Sequence, residues 1–119
     1  MTKFYQIKGD AFIYYSIIKS YKPNKIIEIG SGFSSGFLLD VIEYEKNKPK
    51  ITFIDPNPSR LKKLIKKKDS KNIEIYEKMI QDIKVSIFKD LNANDIIFID
   101  SSHIAKSRSD ILFSTLFPD

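Results

Sequence analysis

Apolar residues in this chain fall into two kinds of stretch. Short, mostly apolar runs at residues 26–29, 51–54, 73–76 and 95–99 are bounded by charged, glycine or proline positions. Between them, longer stretches carry apolar residues three or four apart. The short runs predict strands covered on both faces, and the longer ones predict helices. In residues 11–21, Ile13, Ile17 and Ile18 share a helical face, and Pro23 ends the run. A second helix is expected to be capped by Ser34 or Ser35 and to run to about Glu45. Pro56 and Pro58 bracket a turn ahead of a third helix over residues 59–68, with Leu61, Leu64 and Ile65 on its apolar face. Residues 80–91 place Ile83, Ile87 and Leu91 in helical register, and residues 106–117 predict a last helix.

Strands alternating with helices imply parallel βαβ units, hence an α/β fold with helices on both faces of a parallel sheet. Counting the four runs in chain order, right-handed crossovers favour strand order 3-2-1-4. A ligand site is expected outside the carboxyl ends of strands 1 and 4, where the order reverses. Residues 30–34, Asp55 and Asp100 all lie at such ends.

Three motifs occupy that rim. The first is K-I-I-E-I-G-S-G-F-S-S-G over residues 25–36, a strand leading into the turn Gly30-Ser31-Gly32. Glycine at such a turn admits close approach of a ligand, and the neighbouring Glu28 suits an amine or ribose hydroxyls. The dinucleotide pattern G-x-G-x-x-G would need glycine at Ser35, whereas it falls one residue late at Gly36. A tight turn without a ligand is the competing reading. The second motif is Asp55 after the 51–54 strand, placed to accept hydrogen bonds from both hydroxyls of a ribose or to form a turn beside Pro56. The third is I-F-I-D-S-S-H over residues 97–103, in which Asp100 and His103 are candidates to hold an amine, a metal ion or a substrate proton.

Composition narrows the partners. There is no cysteine, which removes disulfides, thiolate metal sites and a cysteine nucleophile. No apolar run approaches 18 residues and the first residues lack a signal-peptide core, so a cytoplasmic protein with no membrane partner is expected. The formal charge is +5, but only Arg60 and Arg108 are arginine, the residue suited to bidentate reading of phosphates and bases. Nucleic acid is therefore not an expected partner. The lysines at 62, 63, 66, 67 and 68 read as a solvated helix face.

Taken in order, the motifs resemble class I S-adenosylmethionine (SAM) dependent methyltransferases, in a small-molecule branch related to cephalosporin-hydroxylase-like proteins. The resemblance rests on G-D-A at residues 9–11, K-P at 22–23, I-I-E-I-G-S-G-F-S-S at 26–35, I-D-P at 54–56, Q-D at 81–82, D-I-I-F-I-D-S-S-H at 95–103 and S-D at 109–110. It implies one Rossmann-like domain over residues 1–119, with an N-terminal cover and helix in 1–24 and the core in 25–119. It also implies the roles of the site residues. Glu28, Gly30, Ser31 and Gly32 would wrap the methionine part of SAM, and Asp55 would hold the ribose. Gln81, with Ile80, would border the adenine. Asp100 would face the sulfonium, and Phe4, Tyr5 and Asp10 would lie over the site. Asp100 or His103 would take the proton of a small-molecule acceptor, with no metal ion required. The alternative is a SAM-binding module or regulatory subunit without catalysis of its own.

The resemblance also has a limit. Class I methyltransferases continue with three more strands, in the order 3-2-1-4-5-7-6, and this chain stops at Asp119. The strand at 95–99 is therefore expected to be an open edge. Residues 111–117 are apolar as well. A homo-oligomer, with a second copy covering this surface, is the expected remedy; a truncated gene whose substrate half is missing is the alternative.

Overall fold

A computed structural model describes residues 3–7, 11–30 and 33–100. Five strands form one parallel sheet: β1 (Lys3–Ile7), β2 (Lys25–Ile29), β3 (Lys50–Ile54), β4 (Ile73–Tyr76) and β5 (Ile96–Asp100), in the order β1-β5-β2-β3-β4. The helices are α1 (Ala11–Tyr21), α2 (Phe33–Glu43), α3 (Ser59–Leu64) and the single turn α4 (Ser86–Lys89), with 3-10 segments at Lys67–Asn72 and Ile80–Asp82. The four expected strands are present in the predicted order, as β4-β3-β2-β5.

The fifth strand corrects one expectation. β1 pairs with β5 along its whole length, from Lys3 against Ile96 to Ile7 against Asp100. The strand at 95–99 is thus an interior strand and not an open edge. The open edge, one of the two reasons for expecting a second copy, is thereby removed, and residues 111–117, the other, lie outside the described residues. The pattern K-F-Y-Q-I explains why the strand escaped notice. A lysine and a glutamine interrupt its apolar positions, unlike the apolar runs of the interior strands.

Side chains on successive strand residues point to opposite faces, which divides the core in two. On one face Ile26, Ile51, Phe53, Ile96 and Phe98 pack under Tyr14 and Ile18 of α1, Leu38 and Ile42 of α2 and Leu61 of α3. On the other face Ile27, Ile29, Ile54, Ile97 and Ile99 meet Ile80, Ile83 and Phe88. Burying each such side chain contributes about 1.5–3 kcal/mol, so the two-faced sheet is the main source of stability.

Several local expectations shift in detail. In α1 the deepest anchor is Tyr14, fully buried, whereas Ile13 is partly exposed. The predicted helix over 59–68 stops at Leu64, Ile65 and Lys66 are extended, and a separate 3-10 segment follows; the lysines at 62, 63, 66, 67 and 68 are exposed as expected, but so is Leu64. Lys66 and Lys68 both reach Glu43 of α2, at 3.0 and 3.2 Å. These surface pairs contribute little. The predicted helix over 80–91 is broken at Ile83, whose extended backbone (φ −85°, ψ 140°) lets Ile80, Ile83 and Phe88 all reach the sheet.

At the amino ends of the strands a carboxylate does the fastening. Asp95 is buried, and its Oδ1 accepts from the backbone N–H groups of Asn24 (3.2 Å) and Lys25 (3.0 Å). Its Oδ2 accepts from Asn92 N–H at 2.8 Å. One side chain thus ties the entry of β2 to the turn before β5. Hydrogen bonds to a charged group contribute about 1.5–3 kcal/mol. Asp95→Ala should lower stability by about 2–3 kcal/mol at unchanged denaturant slope. Urea unfolding followed by circular dichroism measures this, and an unmoved midpoint would show the clamp to be idle.

Candidate active site

Strand register builds the site. Ile29 of β2 pairs with Ile54 of β3 on one side and with Ile99 of β5 on the other. The next residues, Gly30, Asp55 and Asp100, therefore stand level across three adjacent strands at their carboxyl ends. Neighbouring strands lie about 5 Å apart, so the two aspartate backbones flank the glycine about 10 Å from each other. The ladder continues into this row. Gly30 N–H donates to Ile54 O at 2.8 Å, and Asp55 N–H to Tyr76 O at 3.0 Å.

Gly30 has φ 78°, in the left-handed region. A side chain there costs about 1–2 kcal/mol. The backbone at Gly30 thus departs from the extended path of β2. Gly36 has no such role. It sits inside α2, where an added methyl would meet only Leu64 Cδ1 at 3.8 Å, an ordinary contact. The glycine that departed from the dinucleotide pattern is therefore an interior helix residue, not part of the turn.

Asp55 is buried at the rim. Its Oδ1 accepts the backbone N–H of Asn57 at 2.9 Å, so the turn through Pro56 fixes the carboxylate. Of the two sequence readings of Asp55, this bond shows the turn former beside Pro56. After β4 the chain reaches Ile80, which is buried against Ile29 and Ile54 in the lower core, and Gln81, which is exposed.

Glu28 differs from these residues. It is fully buried and points to the α1 and α2 side of the sheet, between its cross-strand neighbours Phe53 and Phe98. Tyr14 Oη donates to its Oε2 at 2.7 Å, and Ser35 Oγ donates to its Oε1. Ser35 thus spends its hydroxyl on the strand and does not cap α2. Tyr14 also packs edge-on against Phe98, with ring centroids 4.5 Å apart and planes at 71°. The sequence pattern gave no signal for Tyr14 beyond its place in an apolar helix.

The remaining expected residues divide by position. Phe4 and Tyr5 belong to β1, paired with Ile97 and Phe98 below the rim, rather than to a covering loop. Asp100 closes β5 at the rim, opposite Ile7. Asp10, Ser31, Gly32, His103 and the helix predicted over 106–117 lie outside the described residues. Among the described residues no three acidic or histidine side chains gather as a metal site would require.

A parallel sheet with strands ordered β4-β3-β2-β5 is the architecture of Rossmann-like methyltransferases. The chain belongs to the methyltransferase-domain family, whose profile matches residues 27–117. That family uses SAM as its methyl donor. An uncharacterized protein of Archaeoglobus fulgidus is 40% identical over 91 residues, which are 75% of this chain and 40% of that one. The fold is similar to that of CmcI. The apo structure matches with a TM-score of 0.63 at 21% identity, over 92% of this chain and 50% of that chain. A CmcI structure with SAH matches at 0.60 and 21% identity, over 92% and 58%. A CmcI structure with Mg and SAM matches at 0.57 and 23% identity, over 87% and 44%. The chain thus spans about half the length of the proteins it matches.

The two glycines make opposite predictions. Gly30→Ala should destabilise the protein by about 1–2 kcal/mol, whereas Gly36→Ala should stabilise it by about 0.5–1 kcal/mol. Thermal melts of both variants check this, and equal shifts would contradict the turn assigned to Gly30.

Proposed function

We propose that this protein transfers a methyl group from SAM to a small-molecule acceptor, with the cosubstrate held on the carboxyl rim of the sheet. The observation that carries this reading is the level row of Gly30, Asp55 and Asp100 in a sheet of methyltransferase topology. The donor set fits the ligand. A left-handed glycine leaves room for the amino-acid end to approach the backbone of residues 30–32. A fixed carboxylate at Asp55 accepts from ribose hydroxyls. Apolar Ile80 and the amide of Gln81 border the adenine.

SAM supplies an already activated methyl on its sulfonium. The protein's part is to align the acceptor in line with that methyl and to keep water out. Orientation of this kind lowers a barrier by about 7–11 kcal/mol at best. Asp100, at the end of β5, faces the transfer, and Asp100 or His103 takes the acceptor's proton. Asp10, which precedes α1 in the chain, belongs to the same side of the site. Two features support the role of Asp100: its level with Gly30, and the carboxylate chemistry it brings to that position.

Calorimetry with S-adenosylhomocysteine (SAH) tests the binding half. Asp55→Ala should weaken affinity by about 10- to 100-fold, the loss of hydrogen bonds to a charged group. Unchanged affinity would remove Asp55 from the site. A methyl-transfer screen tests the chemical half. Asp100→Asn should lower turnover more than it lowers SAM affinity, and a variant with normal turnover would exclude Asp100 from the reaction. Tight SAM binding without transfer to any acceptor would instead make the protein a binding module.

A further inference from the structure

The carboxylate of Glu28 lies inside the protein, and its hydrogen bonds run inward. It stands two residues before Gly30 on β2, and it holds Ser35, five residues after Gly30 in the first turn of α2. The two ends of the glycine turn are therefore closed from beneath by one side-chain bond. The second oxygen holds Tyr14, which comes from α1 and is itself wedged against Phe98 of β5. Glu28, Tyr14 and Ser35 all have no exposed surface, and Phe53 and Phe98 flank the carboxylate on the two neighbouring strands. A hydroxyl buried in this way touches no ligand at the rim. A carboxylate placed among aromatic rings is tolerated only when it is well supplied with donors.

We propose that Tyr14 and Ser35 are positioning residues for the cosubstrate: by occupying Glu28 from below, they set the path of the glycine turn that receives the amino-acid end. Glu28 acts through this clamp and not by touching the ligand's amine. The inference rests on the proposed SAM binding and deepens it. It also links α1, the helix that follows β1, to the geometry of the turn.

The test uses two ligands, three single variants of the full chain and two double variants. SAH carries the amino-acid end, whereas 5′-methylthioadenosine keeps the ribose and adenine and lacks it. Tyr14→Phe and Ser35→Ala should each weaken SAH by about 2- to 10-fold, the loss of one hydrogen bond, and leave 5′-methylthioadenosine within about twofold. Adding either change to Glu28→Gln should cost little beyond Glu28→Gln alone, because the three groups form one unit. If Glu28 instead contacts the amine, removing a competing hydroxyl frees the carboxylate, and SAH binding holds or tightens in Tyr14→Phe. That result overturns the proposal. Equal losses for both ligands, accompanied by lowered melting temperatures, also overturn it, since they mark a purely structural network. A wild-type protein that binds neither ligand refutes the SAM reading, and this inference falls with it.

Discussion

Register between parallel strands is an all-or-none constraint. Sliding one strand by a single residue sends every side chain to the opposite face. In this sheet such a slip would move Ile26 or Ile51 out of the core under the helices and carry Glu28 away from Tyr14 and Ser35. The same register fixes the heights at which β2, β3 and β5 end, and so brings Gly30, Asp55 and Asp100 to one level. The site is thus a by-product of core packing. No loop has to find its place independently for the row to exist.

Carboxylates serve this sheet at both ends, in two distinct ways. Asp95 fastens the amino ends by accepting three backbone N–H groups. Glu28 works from inside the upper half, where its partners are side-chain hydroxyls of two helices. Asp55 stands at the rim itself, oriented by a neighbouring backbone N–H. Burial separates their roles. A fully enclosed carboxylate is committed to its protein partners, whereas a rim carboxylate remains within reach of a ligand.

Much of the architecture was legible from residue pattern alone, because strands buried on both faces read as apolar runs and glycine marks where such a strand must turn. The strand order followed from those signals, whereas the methyltransferase resemblance rested on the motifs quoted along the chain. What escaped has physical causes. β1 stands at the edge of the described sheet, and its K-F-Y-Q-I, broken by two polar residues, does not resemble the interior runs. The segment over 80–91 has helical periodicity, but three separate apolar anchors must reach the sheet, and the extended Ile83 serves that need better than a continuous helix. Tyr14 looked like one more apolar residue, since nothing local announces a partner 14 residues away on a strand. Asp95 bonds to a backbone 70 residues distant, a contact only the assembled sheet creates.

The central claim is that the carboxyl rim of β2, β3 and β5 is a cradle for a nucleoside carrying an amino-acid tail. Titration of ¹⁵N-labelled protein with S-adenosylhomocysteine, followed through backbone amide resonances, addresses it most directly. The account predicts saturable shifts concentrated at Gly30, Asp55, Ile80, Gln81 and Asp100, with the Asn24 and Lys25 amides at the opposite end of the sheet unmoved. Shifts centred on that opposite end, or none at ligand concentrations in the millimolar range, about the weakest affinity expected of a specific site, would contradict it.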